Sequence, residues 1–210
     1  MTKNQEDYIK LIHELYLRHG KVTNKMISEH FNIKASSVSE MLRKLKKEGF
    51  IEIIDNEILL TKVGLALSKD LISKHRLWEF FLVKHLGFSW QEVHAQAELL
   101  EHATTPLLKE RLNAFLSHPK TCPHGAIIYE NANEITYAAL NSKSIKEKLT
   151  IMAVSDEEEI LDFMDQHDLH LQDALEIIDI NRNEDVYIIV VKGKEIQVPT
   201  SIARLIYVES

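Results

Sequence analysis

The sequence holds a single cysteine, Cys122, among 210 residues, so no disulfide forms within the chain and the composition suits a reducing compartment. Four prolines and six glycines exclude collagen-like and proline-rich architectures. Unbroken apolar runs such as Tyr187 to Val191 fall far short of the roughly 20 residues of a membrane span. The opening residues, Met1-Thr2-Lys3-Asn4-Gln5-Glu6-Asp7, lack the basic-then-apolar pattern of a secretion signal, and a cytoplasmic protein is expected. What is present is 45% hydrophobic residue and 27% charged residue, enough for a buried core and for more than one small module.

The net charge of -7 conceals a division. Residues 1–62 carry 11 Lys and Arg against 9 Asp and Glu, a balance of +2, and the remainder carries 14 against 23, a balance of -9. A mildly basic front and an acidic back point to separate tasks. Histidine is uneven too. Six of the 11 (His75, His85, His94, His102, His118, His124) fall within 50 residues, with Cys122 among them. Imidazole is the commonest metal-ligating side chain.

In the front third, apolar residues at Tyr8, Ile9, Leu11, Ile12, Leu15 and Tyr16 form one stripe of an amphipathic helix over Asp7 to His19, ended by Gly20. Thr23 caps a short second helix, Asn24 to Phe31, and Ser36 or Ser37 is expected to cap a third that runs to about Lys47. Two short helices joined by a tight turn have helix-turn-helix proportions. Ile51 to Ile54 and Ile58 to Thr61 then read as two strands of a wing around Asp55-Asn56. The third helix has the composition of a DNA reader. Ser36, Ser37 and Ser39 let the backbone approach bases and phosphates closely. Lys34, Arg43, Lys44, Lys46 and Lys47 supply five positive charges against Glu40 and Glu48.

The middle reads as a helix from Thr61 to Leu86, a second opened by the capping box Ser89-Trp90-Gln91-Glu92, and a third with Pro106 in its first turn, reaching Leu116. Such apolar helices suit a bundle and a dimer interface. His94, Glu98, Glu101 and His102 sit at relative positions 0, 4, 7 and 8, within about a 100° arc of the second helix. His75 and Glu79 form an i,i+4 pair, and Cys122 and His124 add a thiol and an imidazole. A solvated face accounts for one such pair. For the whole set it fails, because several carboxylates on facing apolar helices would repel one another without a cation. In the tail, Leu149 to Val154, Ala174 to Ile180, Val186 to Val191, Glu195 to Val198 and Leu205 to Val208 read as strands, with a short helix over Asp156 to His167. Residues 125–147, with Asn131, Asn133, Asn141 and Ser142, read as a linker.

Five separated segments, in order and spacing, closely resemble the diphtheria-toxin-repressor family of metal-dependent repressors, nearest its manganese-responsive branch from Gram-positive bacteria. They are Glu6-Asp7-Tyr8-Ile9, Ser37-Val38-Ser39-Glu40-Met41, Lys74-His75-Arg76-Leu77 with Glu79, Ala97-Glu98-Leu99-Leu100-Glu101-His102, and Pro119 to Gly125. The resemblance implies a mostly α fold with β. It would comprise an N-terminal winged helix-turn-helix (residues 1–62), a helical metal-binding and dimerisation domain (63–140), and a C-terminal SH3-like domain (149–210). It implies a primary metal site of Asp7, Glu98, Glu101 and His102, and a second of His75, Glu79, Cys122, His124 and Glu159. His94 matches a ligand of the iron-responsive branch. Three carboxylates and one imidazole suit Mn²⁺, with Fe²⁺ chemically close. Cys122 softens the second site toward Zn²⁺ or Cd²⁺. The implied partners are a second copy of the chain and palindromic operator DNA, read by Lys34, Ser36, Ser37, Ser39, Arg43 and Lys44, with no membrane and no organic cofactor.

Two departures stand out. Ser36 and Ser37 occupy positions where manganese-type relatives often carry prolines. Lys10 stands where some carry a carboxylate, which argues against a closely spaced pair of ions. The alternatives are an Fe²⁺- or Zn²⁺-responsive repressor of the same family, a winged-helix regulator sensing an organic ligand, a metal buffer, and a metallohydrolase. The last is not expected. His13-Glu14 lacks the second histidine of a zincin at Leu17, and no phosphate loop or nucleophile elbow is present.

Overall fold

The computed structural model describes residues 1–132 and 137–209. Asn133, within the expected linker, lies outside the described residues. The chain divides into two compact units, one of residues 1–75 with 99–106 and the other of residues 76–98 with 107–210.

The first unit opens with α1 (Lys3–His19). Thr2 and Gln5 form a reciprocal capping box at its start, and Gly20 ends it at φ 70°, its N–H bonded to Tyr16. α2 (Asn24–Phe31) is capped by the Thr23 hydroxyl and closed by Asn32 in the left-handed region. α3 (Ala35–Lys47) follows. Its cap corrects the sequence expectation. Lys34 holds the N-cap position without a side-chain bond, and its carbonyl accepts from the Ser37 and Val38 N–H groups. Ser36 and Ser37 therefore lie inside the first turn. β1 (Ile51–Ile54) and β2 (Glu57–Leu60) pair antiparallel as the wing. Asp55 and Asn56 between them both have positive φ, the geometry of a tight hairpin turn. Tyr8, Ile9, Ile12, Ile27, Val38, Leu42, Leu45, Ile51 and Ile58 close one core, joining α1, both helices of the motif and the wing. α4 (Lys62–Leu86) starts against this core at Gly64, where an added Cβ would lie 2.1 Å from the Phe50 carbonyl oxygen.

Within the second unit, the later part of α4 packs Leu77 with Leu112 of α6 (Pro106–Phe115), Leu116 and Ile128. α5 (Trp90–Ala103) opens with the expected box, for Ser89 and Glu92 exchange hydrogen bonds. The tail folds as a six-stranded antiparallel sheet in the order β3-β8-β4-β5-β6-β7. Its strands are β3 (Ala138–Ala139), β4 (Lys148–Val154), β5 (Ala174–Asn181), β6 (Val186–Val191), β7 (Lys194–Pro199) and β8 (Ile206–Glu209). Ile160, Leu161 and Met164 of α7 (Glu158–Gln166) and Ile202 of α8 (Thr200–Ala203) cover a core that includes Ile151, Ile177, Ile189 and Val198. This is the winged helix-turn-helix, helical domain and SH3-like sheet expected from the sequence. Among the described residues, no helix is long and apolar enough to cross a membrane.

Candidate metal centres and nucleic-acid interface

The first cluster lies within the first unit, between the opening turns of α1 and the last turn of α5. Asp7, Glu101 and His102 bring one ligand atom each within 4.8 Å of one another. The apolar stripe of α1 faces its core, which leaves Glu6, Asp7 and Lys10 along the border of that stripe. Glu101 is 1% exposed. Its Oε2 lies 2.5 Å from His75 Nδ1 and 2.9 Å from Lys10 Nζ. Burial opposes ionisation of Glu101, but the His75 hydrogen bond and the Lys10 charge outweigh it and hold the carboxyl below its usual range.

His102 Nε2 lies 2.8 Å from Asp7 Oδ1 and 3.4 Å from Glu101 Oε1. Neither approach has the direction of a hydrogen bond, so Nε2 is a buried ring nitrogen without one. Two carboxylate oxygens gathered around such a nitrogen fit a divalent cation. The oxygen-rich donor set suits a hard ion. Lys10 supplies one positive charge to a group with three carboxylates, Glu6, Asp7 and Glu101. Glu98 is exposed, one helical turn before His102 on α5, and is not in this group.

The second cluster lies within the second unit. Glu79, Cys122 and His124 bring their ligand atoms within 4.8 Å, and all three are buried. Glu79 Oε1 is 3.5 Å from His124 Nδ1, and Cys122 Sγ is 3.9 Å from the same nitrogen. His124 Nε2 is buried with no hydrogen-bond partner. Burial first, and then the Glu79 charge, push the Cys122 thiol well above its usual pKa. Carboxylate, imidazole and thiol together fit a softer ion. The loop is set by Gly125 at φ 84°, where an added Cβ would lie 2.2 Å from the Met152 carbonyl oxygen. The His124 carbonyl also accepts from Val154 N–H at 2.9 Å.

Of the expected second set, His75 offers a ligand atom within 4.8 Å of one on Glu79, and Glu159 joins no described cluster. His75 Nδ1 also lies 2.5 Å from Glu101 Oε2. Glu159 is exposed in the first turn of α7. Asp156, which the sequence reading did not single out, approaches His94 Nδ1 at 3.5 Å, and the same nitrogen lies 3.8 Å from Glu79. Glu6 was also missed as a partner of His102. Both escape because the partner is distant in sequence and no periodicity links them.

On the candidate nucleic-acid face, Lys34, Ser36, Ser37, Ser39, Arg43 and Lys44 are all exposed on α3 or at its start, opposite buried Val38, Leu42 and Leu45. Asn24 of α2 donates to Ser39 Oγ at 2.9 Å, which bonds the two helices of the motif beside these residues.

Comparison with known proteins adds three matches along the chain. Residues 1–55 match the iron dependent repressor N-terminal DNA-binding domain, 61–130 its metal-binding and dimerisation domain, and 139–210 the FeoA domain. The iron-dependent repressor IdeR of Mycobacterium tuberculosis is 31% identical over 126 residues, 60% of this chain and 55% of that protein. The match thus spans about half the length of such curated relatives. The solved structure of the manganese regulator SloR superposes with a TM-score of 0.87 at 37% identity, covering 100% of each chain. That of ScaR with bound Cd²⁺ gives 0.89 at 35% identity over 98% of this chain and 99% of that one.

Proposed function

This chain belongs to the iron-dependent, or diphtheria-toxin, repressor family, and we propose that within it the protein is a Mn²⁺-responsive repressor that binds operator DNA as a dimer and controls metal-uptake genes. One observation carries this reading. Asp7 on the helix that opens the DNA-binding domain converges with Glu101 and His102 of the helical domain on a buried nitrogen without a hydrogen bond.

A bound divalent cation would supply the positive charge that these carboxylates lack. Asp7, Glu101 and His102 would hold it, with Glu98 one turn earlier on α5 as the fourth group. Fixing α1 against α5 in this way favours the DNA-competent population, by as much as the ion's affinity differs between the two states. Two α3 helices in a dimer then meet successive major grooves of a palindromic site. Glu79, Cys122 and His124 form the second site, with His75, Glu159 and His94 as its further proposed ligands. The reading places the protein in the cytoplasm and assigns it binding without turnover.

Manganese is preferred over iron because oxygen donors predominate at Asp7, Glu98 and Glu101. That SloR is described as a manganese regulator supports the choice. The test is to select DNA from a random library with the full chain, once with Mn²⁺ and once with chelator, and then to titrate the selected site against Mn²⁺, Zn²⁺ and, anaerobically, Fe²⁺. Enrichment only with metal, and tightest binding at the lowest concentration with Mn²⁺, is expected. Equal enrichment in chelator defeats the reading and favours a regulator of another kind.

A further inference from the structure

The two ring nitrogens of His102 face different carboxylates. Nε2 looks toward Asp7 and Glu101, while Nδ1 lies 2.6 Å from Glu6 Oε2. The His102 side chain is 9% exposed and that of Glu6 22%. We propose that Glu6 is the positioning residue of the first metal site: by accepting a hydrogen bond from His102 Nδ1–H it fixes the ring and its tautomer, leaving the Nε2 lone pair to the metal. The inference rests on the metal reading of Asp7, Glu101 and His102, and adds to it a residue that touches no ion.

The chemistry runs from the short Nδ1 contact. As a carboxylate Glu6 can only accept, so the proton of this bond is on Nδ1. With its proton on Nδ1, the ring presents the Nε2 lone pair to a space already bordered by two carboxylate oxygens. An ionised acceptor on the far nitrogen also raises the basicity of the ligating one. Glu6 keeps its place because its neighbours fix the turn. Gln5 is bonded back to Thr2 and outward to Glu48 at 2.6 Å, and Tyr8 and Ile9 are buried in the core. Lys10, the nearby cation on the same helix, is engaged with Glu101.

Three variants of the full chain test this: Glu6→Ala, Glu6→Gln and Asp7→Ala. Mn²⁺ binding is followed by the electron-spin signal of the free ion, and the binding step that Asp7→Ala removes identifies the site. Glu6→Ala should weaken that step by about 10–100-fold, the usual effect of losing such an outer partner, with the melting temperature of metal-free protein little changed. Glu6→Gln keeps an oxygen acceptor and should recover part of the loss. Independently of metal, ¹⁵N shifts of the His102 ring, assigned with His102→Ala, should report Nδ1–H in the parent chain and a tautomer mixture in Glu6→Ala. An unchanged metal step in Glu6→Ala, or an Nε2–H tautomer in the parent chain, overturns the role of Glu6 while leaving the site itself intact. If Asp7→Ala removes no step, the site assignment fails and this inference falls with it.

Discussion

Lys10 is 8% exposed, and its ammonium reaches both Glu101 carboxylate oxygens and approaches His75 Nδ1 at 3.3 Å. The sequence marks this position as a non-ligand. The structure shows it as the fixed positive charge beside a buried carboxylate. Removing one member of such a pair costs more than the pair itself contributes, because a charge is left buried. Lys10→Met should lower the unfolding free energy of the metal-free protein by about 3 kcal/mol in urea titrations, with part of the loss restored by Mn²⁺. A variant as stable as the parent would show that Glu101 is not ionised there. The same residue gives the protein a dependence on acid. The folded pKa of Glu101 lies below its ordinary value of 4.5, so its stabilising contribution is present above that value. It disappears as pH falls through the lower folded value. Metal-free stability should therefore drop below about pH 4.5, and this part of the drop should vanish in Glu101→Gln.

At the scale of elements, the first turn of α1 is tied to the end of α3. Gln5 is 2% exposed and donates to Glu48, the residue that closes α3. Gln5→Ala should lower stability by about 1 kcal/mol, the loss of a single hydrogen bond to a charged, exposed partner. It should also raise the Mn²⁺ concentration needed for half-maximal operator binding, since α3 is then held less firmly to the helix that carries Asp7. Operator affinity should fall steeply with salt. Replacing Lys34, Arg43 or Lys44 singly by alanine should reduce the logarithmic salt slope by about one, if each meets a phosphate. An unaltered slope removes that residue from the interface.

Element boundaries were legible where a side chain marks them, as at Thr23, Gly20 and the Ser89–Glu92 box. The start of α3 was misread because a serine favours an N-cap only when its own backbone is extended, and here Lys34 takes that conformation. β3 and α8 escaped because two and four residues carry no measurable period. The faces of α4 and α5 that carry the candidate ligands show at helical spacing. The partners of their side chains on other elements, Glu6 and Asp156, depend on packing that no local pattern records.

Across the whole molecule, the proposed reading assigns DNA reading to the basic α3 and cation sensing to the acid- and histidine-rich remainder. On that reading the two tasks would meet at Asp7, which belongs by sequence to the DNA-binding domain and by geometry to a cluster with Glu101 and His102. The most direct measurement is a mobility-shift titration of the selected operator with Mn²⁺, comparing the parent chain with Asp7→Ala and His102→Ala after confirming that both variants are folded by circular dichroism. The account predicts that Mn²⁺ tightens operator binding by the parent by at least tenfold, and that both variants remain at the chelator level across the same range. Mn²⁺-stimulated binding by Asp7→Ala equal to that of the parent would contradict it.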